Sequence, residues 1–153
     1  MAGAFMARGL SERVAFLENT AALLGQMSDR LRYLQPDMYS LIESMGRSER
    51  FSGLLFPGRC LGLMDKGLSF PESWRLALEE APGALENEES EMLSGLSEVL
   101  GCTDLDTQLA QLAFAGDRLL ARLEAARDRE RKYAKLYRSL GALGGLALVI
   151  MLI

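Results

Sequence analysis

Apolar side chains recur at steps of three and four through most of this chain, the spacing that lines one face of an α-helix. A first stripe runs from Ser11, with Val14, Leu17, Ala21, Leu24, Met27, Leu31 and Leu34 on one side and Phe16 and Leu23 widening it. A face that wide suits a core-facing helix better than a narrow two-stranded seam. Pro36 forces a break, because the residue before a proline is pushed away from helical dihedrals. A short helix follows from Asp37 or Met38 to Met45, stopped by Gly46. A third is expected from Glu49 onward, kinked or divided by Pro57 and Gly58. Ser69, with Glu72 three residues on, has the spacing of a capping box and opens a fourth. There Trp74, Leu76 and Leu78 supply buried area, with Trp74 as the core anchor, and Pro82 and Gly83 end the helix. The stretch ENEESEMLSGLSEVLG makes a fifth, turning Leu93, Leu96, Val99 and Leu100 inward before Gly101 stops it.

The last third, from Thr103 to Ile153, is the stretch the rest is organised around. Leu105, Leu109, Leu112, Leu119, Leu120 and Leu123 share a face, no proline interrupts, and Thr103 is placed to cap the first turn. Helical to Arg138, this element is about 54 Å long at about 1.5 Å per residue. Alternating β-branched runs are missing throughout, so the fold class is all-α, a bundle of five to six helices over residues 11–138. In the turn LGCTD, Asp104 and Gln108 lie four residues apart. They can bond along the helix surface, or Gln108 can reach a backbone group, and the turn serves either structure or a partner.

Charge then changes the picture of that last helix. Arg122, Arg127, Arg129, Arg131, Lys132, Lys135 and Arg138 outnumber Glu124, Asp128 and Glu130, and from Ser139 onward no ionisable side chain remains. A basic approach to an apolar run is what a membrane segment carries on its cytoplasmic side, so residues 139–153 read as a transmembrane segment and the arginines and lysines as juxtamembrane. A buried core helix is the alternative, since fifteen residues cover only about 22 Å of a hydrocarbon core about 30 Å thick. Starting the segment at Tyr133 or Leu136 lengthens it, with Lys135 and Arg138 snorkelling. Gly141 and Gly145 have the spacing for close helix packing in lipid, with Gly144 beside them.

Composition removes several chemistries. The net charge of −4 disfavours nucleic acid as a partner. The absence of histidine takes away the commonest general base and metal ligand, and no GxxxxGK[ST] phosphate loop is present. No catalytic residue, metal site, cofactor or small-molecule substrate is expected. Cys60 and Cys102 match no paired spacing and read as small buried hydrophobes. Glu86, Glu88, Glu89 and Glu91 crowd the start of the fifth helix and read as a solvated acidic face, which with the basic run Arg127 to Lys135 is a candidate contact patch.

Four pieces in order, ARGLSER, LSFPESWRLALEE, LGCTDLDTQ and YAKLYRSLGALGGLALVIMLI, resemble the stage III sporulation protein AB family of spore-forming bacteria over nearly the whole chain. The matching positions are Ser69, Phe70, Trp74, Leu100, Gly101, Thr103, Asp104, Gln108, Lys135, Leu136, Tyr137, Ser139, Leu140 and Gly141. The resemblance implies a membrane-anchored, non-enzymatic scaffold in the mother cell. It would lie in the outer forespore membrane, within the channel or secretion-like assembly that joins mother cell and forespore. Partners implied are other stage III sporulation channel proteins and a secretion-type ATPase, by similarity of the helices to platform domains of type II secretion and type IV pilus machines. A platform subunit of such a general machine is the alternative, but those carry duplicated helical domains and more membrane spans. Family members begin with an apolar membrane helix before the ARxLSER stretch, so residues 1–10 read as a remnant or shortened first anchor.

Overall fold

The computed structural model describes residues 2–81 and 85–153, and among these residues six α-helices and one 3-10 turn account for the regular structure, with no strand. In order they are α1 (Ala2–Tyr33), α2 (Met38–Gly46), the single turn Glu49–Phe51, α3 (Leu55–Asp65), α4 (Phe70–Glu79), α5 (Asn87–Val99) and α6 (Leu105–Leu152). The expected all-α bundle is what forms.

The longest packing seam joins α1 to α6, which run antiparallel. Leu31 and Gln35 near the end of α1 line one hollow with Leu105 and Gln108 at the start of α6, whereas Arg13 lines another with Ala125, Ala126 and Arg129. On α1 the seam is Leu17, Thr20, Leu24, Met27 and Leu31; on α6 it is Gln108, Leu112, Ala115, Leu119, Leu123 and Ala126. The extra width of the α1 face serves a second set of neighbours, because Leu23 is also fully buried and the Phe16 ring lies 6.2 Å from that of Phe56 on α3. One helix thus carries α6 on one side and α2 and α3 on the other.

Trp74 ties the second half of the core together. Its side chain is fully buried, its indole N–H donates to the Leu93 carbonyl at 2.7 Å, and it meets the Phe56 ring edge-on at 5.4 Å and the Phe70 ring at 5.7 Å. An aromatic that also satisfies its polar atom fixes α3, α4 and α5 at one point.

Several local expectations are corrected. α1 starts at Ala2 rather than Ser11. Pro57 neither kinks nor divides α3; it occupies the first turn, where a missing N–H costs nothing, and the interruption falls at 52–54. Leu34 is exposed because α1 ends at Tyr33 and Gln35 turns through a positive φ of 45°. Leu76 and Leu120 are exposed too, since Ala77 and Leu119 take the inward positions. α2 does end at Gly46, which is also a close contact, for a Cβ there would lie 3.2 Å from the Pro57 carbonyl oxygen across the α2–α3 contact. Pro82 and Gly83 lie outside the described residues. Ser69 does cap α4, its hydroxyl accepting from the Glu72 N–H at 3.4 Å.

Candidate functional site

Three groups of residues singled out by sequence are placed by the fold: the turn between α5 and α6, the charges around it, and the far end of α6.

The turn is a closed set of hydrogen bonds. Gly101 ends α5 with φ +80°, the left-handed region that only glycine enters freely, and a Cβ there would sit 2.8 Å from Cγ of Met38. Its N–H donates to Oε1 of Gln108 at 3.3 Å while Nε2 of Gln108 donates to the Thr103 carbonyl at 2.7 Å, so both ends of one buried amide hold backbone. Thr103 does not cap α6. Its hydroxyl turns back and donates to the Val99 carbonyl at 3.1 Å, closing α5, and Asp104 caps α6 by accepting from the Thr107 N–H at 3.1 Å and the Thr107 hydroxyl at 2.6 Å. Those bonds to Thr107 hold the Asp104 carboxyl below its ordinary pKa. Leu100 is buried beneath the turn. Of the two arrangements open to Gln108, the backbone one is found.

The acidic face is not wholly solvated. Glu89 is 1% exposed, and Arg13 of α1 grips it with two bonds, Nη1 to Oε1 at 2.9 Å and Nη2 to Oε2 at 2.7 Å. Glu89 Oε1 also accepts from the Glu86 N–H at 3.3 Å, which fixes the first turn of α5. Arg122 of α6 reaches Glu86 at 2.9 Å and Glu89 at 3.5 Å, and pairs with Glu88. Two arginines from two helices therefore close on one carboxylate from a third. Bonding to Glu89 raises the Arg13 guanidinium pKa. The sequence carried a signal for this: Glu89 is in step with Leu93, Leu96 and Leu100, Arg13 with Leu17, Thr20 and Leu24, and Arg122 with Leu119 and Ala126. Charges in register with an apolar stripe are inward charges, and inward charges come paired.

The basic run divides in two. Arg127 pairs with Glu18 at 3.3 Å, Arg129 approaches Glu86 at 4.0 Å and Arg131 pairs with Asp128 at 3.5 Å. Lys132, Lys135 and Arg138 are exposed and form no ion pair with a carboxylate among the described residues. From Ala134 to Leu152 every residue of α6 is exposed, and an 18-residue window of this helix is apolar enough to cross a membrane with none of it buried. Gly141, Gly144 and Gly145 lie within it with open space around them.

Sequence reasoning missed a groove between α5 and α6 of about 690 Å³. Met92, Gly95 and Leu96 form one wall, Gln111, Phe114 and Ala115 the other, with Glu88 and Glu91 on one rim and Arg118 and Arg122 on the opposite rim. Phe114 is 56% exposed, and the Arg118 guanidinium lies 5.3 Å from its ring centre. The cysteines part company: Cys60 is buried, which pushes its thiol pKa up to about 12, while Cys102 is exposed rather than buried.

A helical bundle built on one rod, with that rod emerging as a bare apolar helix, defines the class as an all-α protein equipped for membrane association. The chain belongs to the stage III sporulation protein AB family, whose model matches residues 1–153, and its role is accordingly in sporulation. A solved structure titled "Stage III sporulation protein AB (SpoIIIAB)" is similar in fold, with a TM-score of 0.68 at 19% identity over 79% of this chain and 98% of that one. No curated protein matches the chain. The resemblance read from the four sequence pieces therefore holds across the whole length.

Proposed function

We propose that this protein is a non-enzymatic, membrane-anchored scaffold of the assembly that joins mother cell and forespore, and that its bundle docks a secretion-type ATPase on the cytoplasmic side. The observation that carries the reading is the continuity of α6, which is a core helix through Ala126, exposed from Ala134 and uncharged from Ser139. An apolar surface of that length has no stable place in water, and the excess of Lys and Arg before it supports a bundle on the cytoplasmic side. Membership of the family over residues 1–153 favours the sporulation assembly over a general secretion or pilus platform.

The docking surface changes with the structure. Glu86, Glu89, Arg127 and Arg129 hold one another or other parts of the chain, so they are poorly placed to recruit a partner. The α5–α6 groove is the better face, since it offers the exposed Phe114 ring with Glu91 on one rim and Arg118 on the other, two charges that form no ion pair among the described residues. The test is co-purification of a secretion-type ATPase with the full chain from solubilised membranes, set against the variant Phe114→Ser with Gly95→Leu. Loss of the ATPase while the bundle stays folded and membrane-bound supports the reading. An ATPase that never co-purifies, or that binds the variant equally, overturns it.

A further inference from the structure

We propose that Lys132, Lys135 and Arg138 form a single face that binds the phosphates of anionic lipids and sets the depth at which α6 enters the bilayer. This rests on the membrane reading above and adds the lipid chemistry to it.

The division of the basic run is the starting point. The arginines upstream already have carboxylates, whereas these three cations have none among the described residues. At about 100° per residue they fall within about 120° of one another around the helix, so they act as one face. Tyr133 and Tyr137 stack on each other, ring centres 6.3 Å apart, and lie about 180° from the middle of that face. The helix therefore meets the interface with cations on one side and amphipathic rings on the other, the two residue classes that settle at headgroup level.

Length gives the same placement. Lys132 to Arg138 span about 9 Å along the axis, close to one headgroup layer, which is about 5–8 Å thick. The uncharged helix from Ser139 to Leu152 covers only about 21 Å of a core about 30 Å thick. Cations reaching back along the helix to phosphates are the means by which a short segment is held in place. The chain as a whole carries a charge of −4 and would be repelled by an anionic surface. At physiological salt, however, charges more than about 8 Å away are screened, so the local face decides.

The test reconstitutes the full chain in vesicles of phosphatidylcholine with about one third phosphatidylglycerol and measures lipid association with the protein, using spin-labelled versions of each lipid. A preference for phosphatidylglycerol of about fivefold or more is expected, shrinking in 1 M salt, where the screening length is about 3 Å. Lys132→Gln, Lys135→Gln and Arg138→Gln together should abolish it, while Arg127→Gln with Arg129→Gln should leave it. Equal association of both lipids with the inserted protein overturns the lipid-face inference and leaves the membrane reading standing. Absence of any protein-associated lipid signal overturns the membrane reading beneath it.

Discussion

Glu89 shows how one carboxylate can decide the geometry of three helices. Removing it as Glu89→Ala leaves Arg13, itself largely covered, with only the Glu86 carboxylate at 3.4 Å; the expected loss is about 3 kcal/mol, the low end for breaking a buried pair from one side. Replacing both partners, Arg13→Met with Glu89→Leu, should cost far less, because no charge is then stranded. Urea unfolding of the full chain in detergent distinguishes the two, and equal losses would show that the pair is not coupled. Asp104 offers a pH readout. Its folded pKa is depressed by the bonds from Thr107, so its contribution is complete above the ordinary carboxylate range and is lost as pH falls through the folded value. Asp104→Asn should therefore flatten the decline in melting temperature on the acid side, and an unchanged acid limb would remove Asp104 from the cause. The cap was half legible: Thr and Asp stood together, and only geometry assigned one to close α5 and the other to open α6.

At the scale of elements, the joint between α5 and α6 is the place where the chain depends on a single residue type. Gly101→Ala brings both a left-handed backbone, worth about 1–2 kcal/mol, and a Cβ 2.8 Å from Met38. Trimming the neighbour as Met38→Ala should return only the steric share, so the double variant is expected to remain less stable than the Met38→Ala single variant. A double variant as stable as that single one, by unfolding midpoint, would mean that the backbone carries no strain. Helix positions were readable from apolar periodicity and from Pro36, Ser69 and Gly101, because those signals act within a few residues. Which of two adjacent leucines faced inward was not. Leu119 and Leu120 both fit a broad stripe, and the choice between them follows from the register of α6 against α1, a long-range fact.

For the whole molecule, the buried core stops at Ala126, and every residue beyond Tyr133 is exposed. Deleting residues 139–153 should consequently leave the unfolding free energy within about 0.5 kcal/mol of the parent while moving the protein from the membrane pellet to the supernatant. A marked loss of stability would show that the tail folds onto the bundle, which is the buried-helix alternative. The antiparallel run of α1 against α6 also brings the start of α1 to the same end of the bundle as the apolar rod.

By itself the sequence determined the all-helical class, the ends of most helices, the anchor Trp74 and the contrast between a polar-faced bundle and an uncharged run. Each of these depends on residues near in the chain, where backbone propensity and periodicity act directly. Only the tertiary structure decided that Glu89 is buried between Arg13 and Arg122, that the upstream arginines are paired while Lys132, Lys135 and Arg138 form no ion pair among the described residues, and that Phe114 opens onto a groove. Those outcomes depend on which faces of distant helices meet, and a charge acquires its meaning only from the partner that packing places beside it.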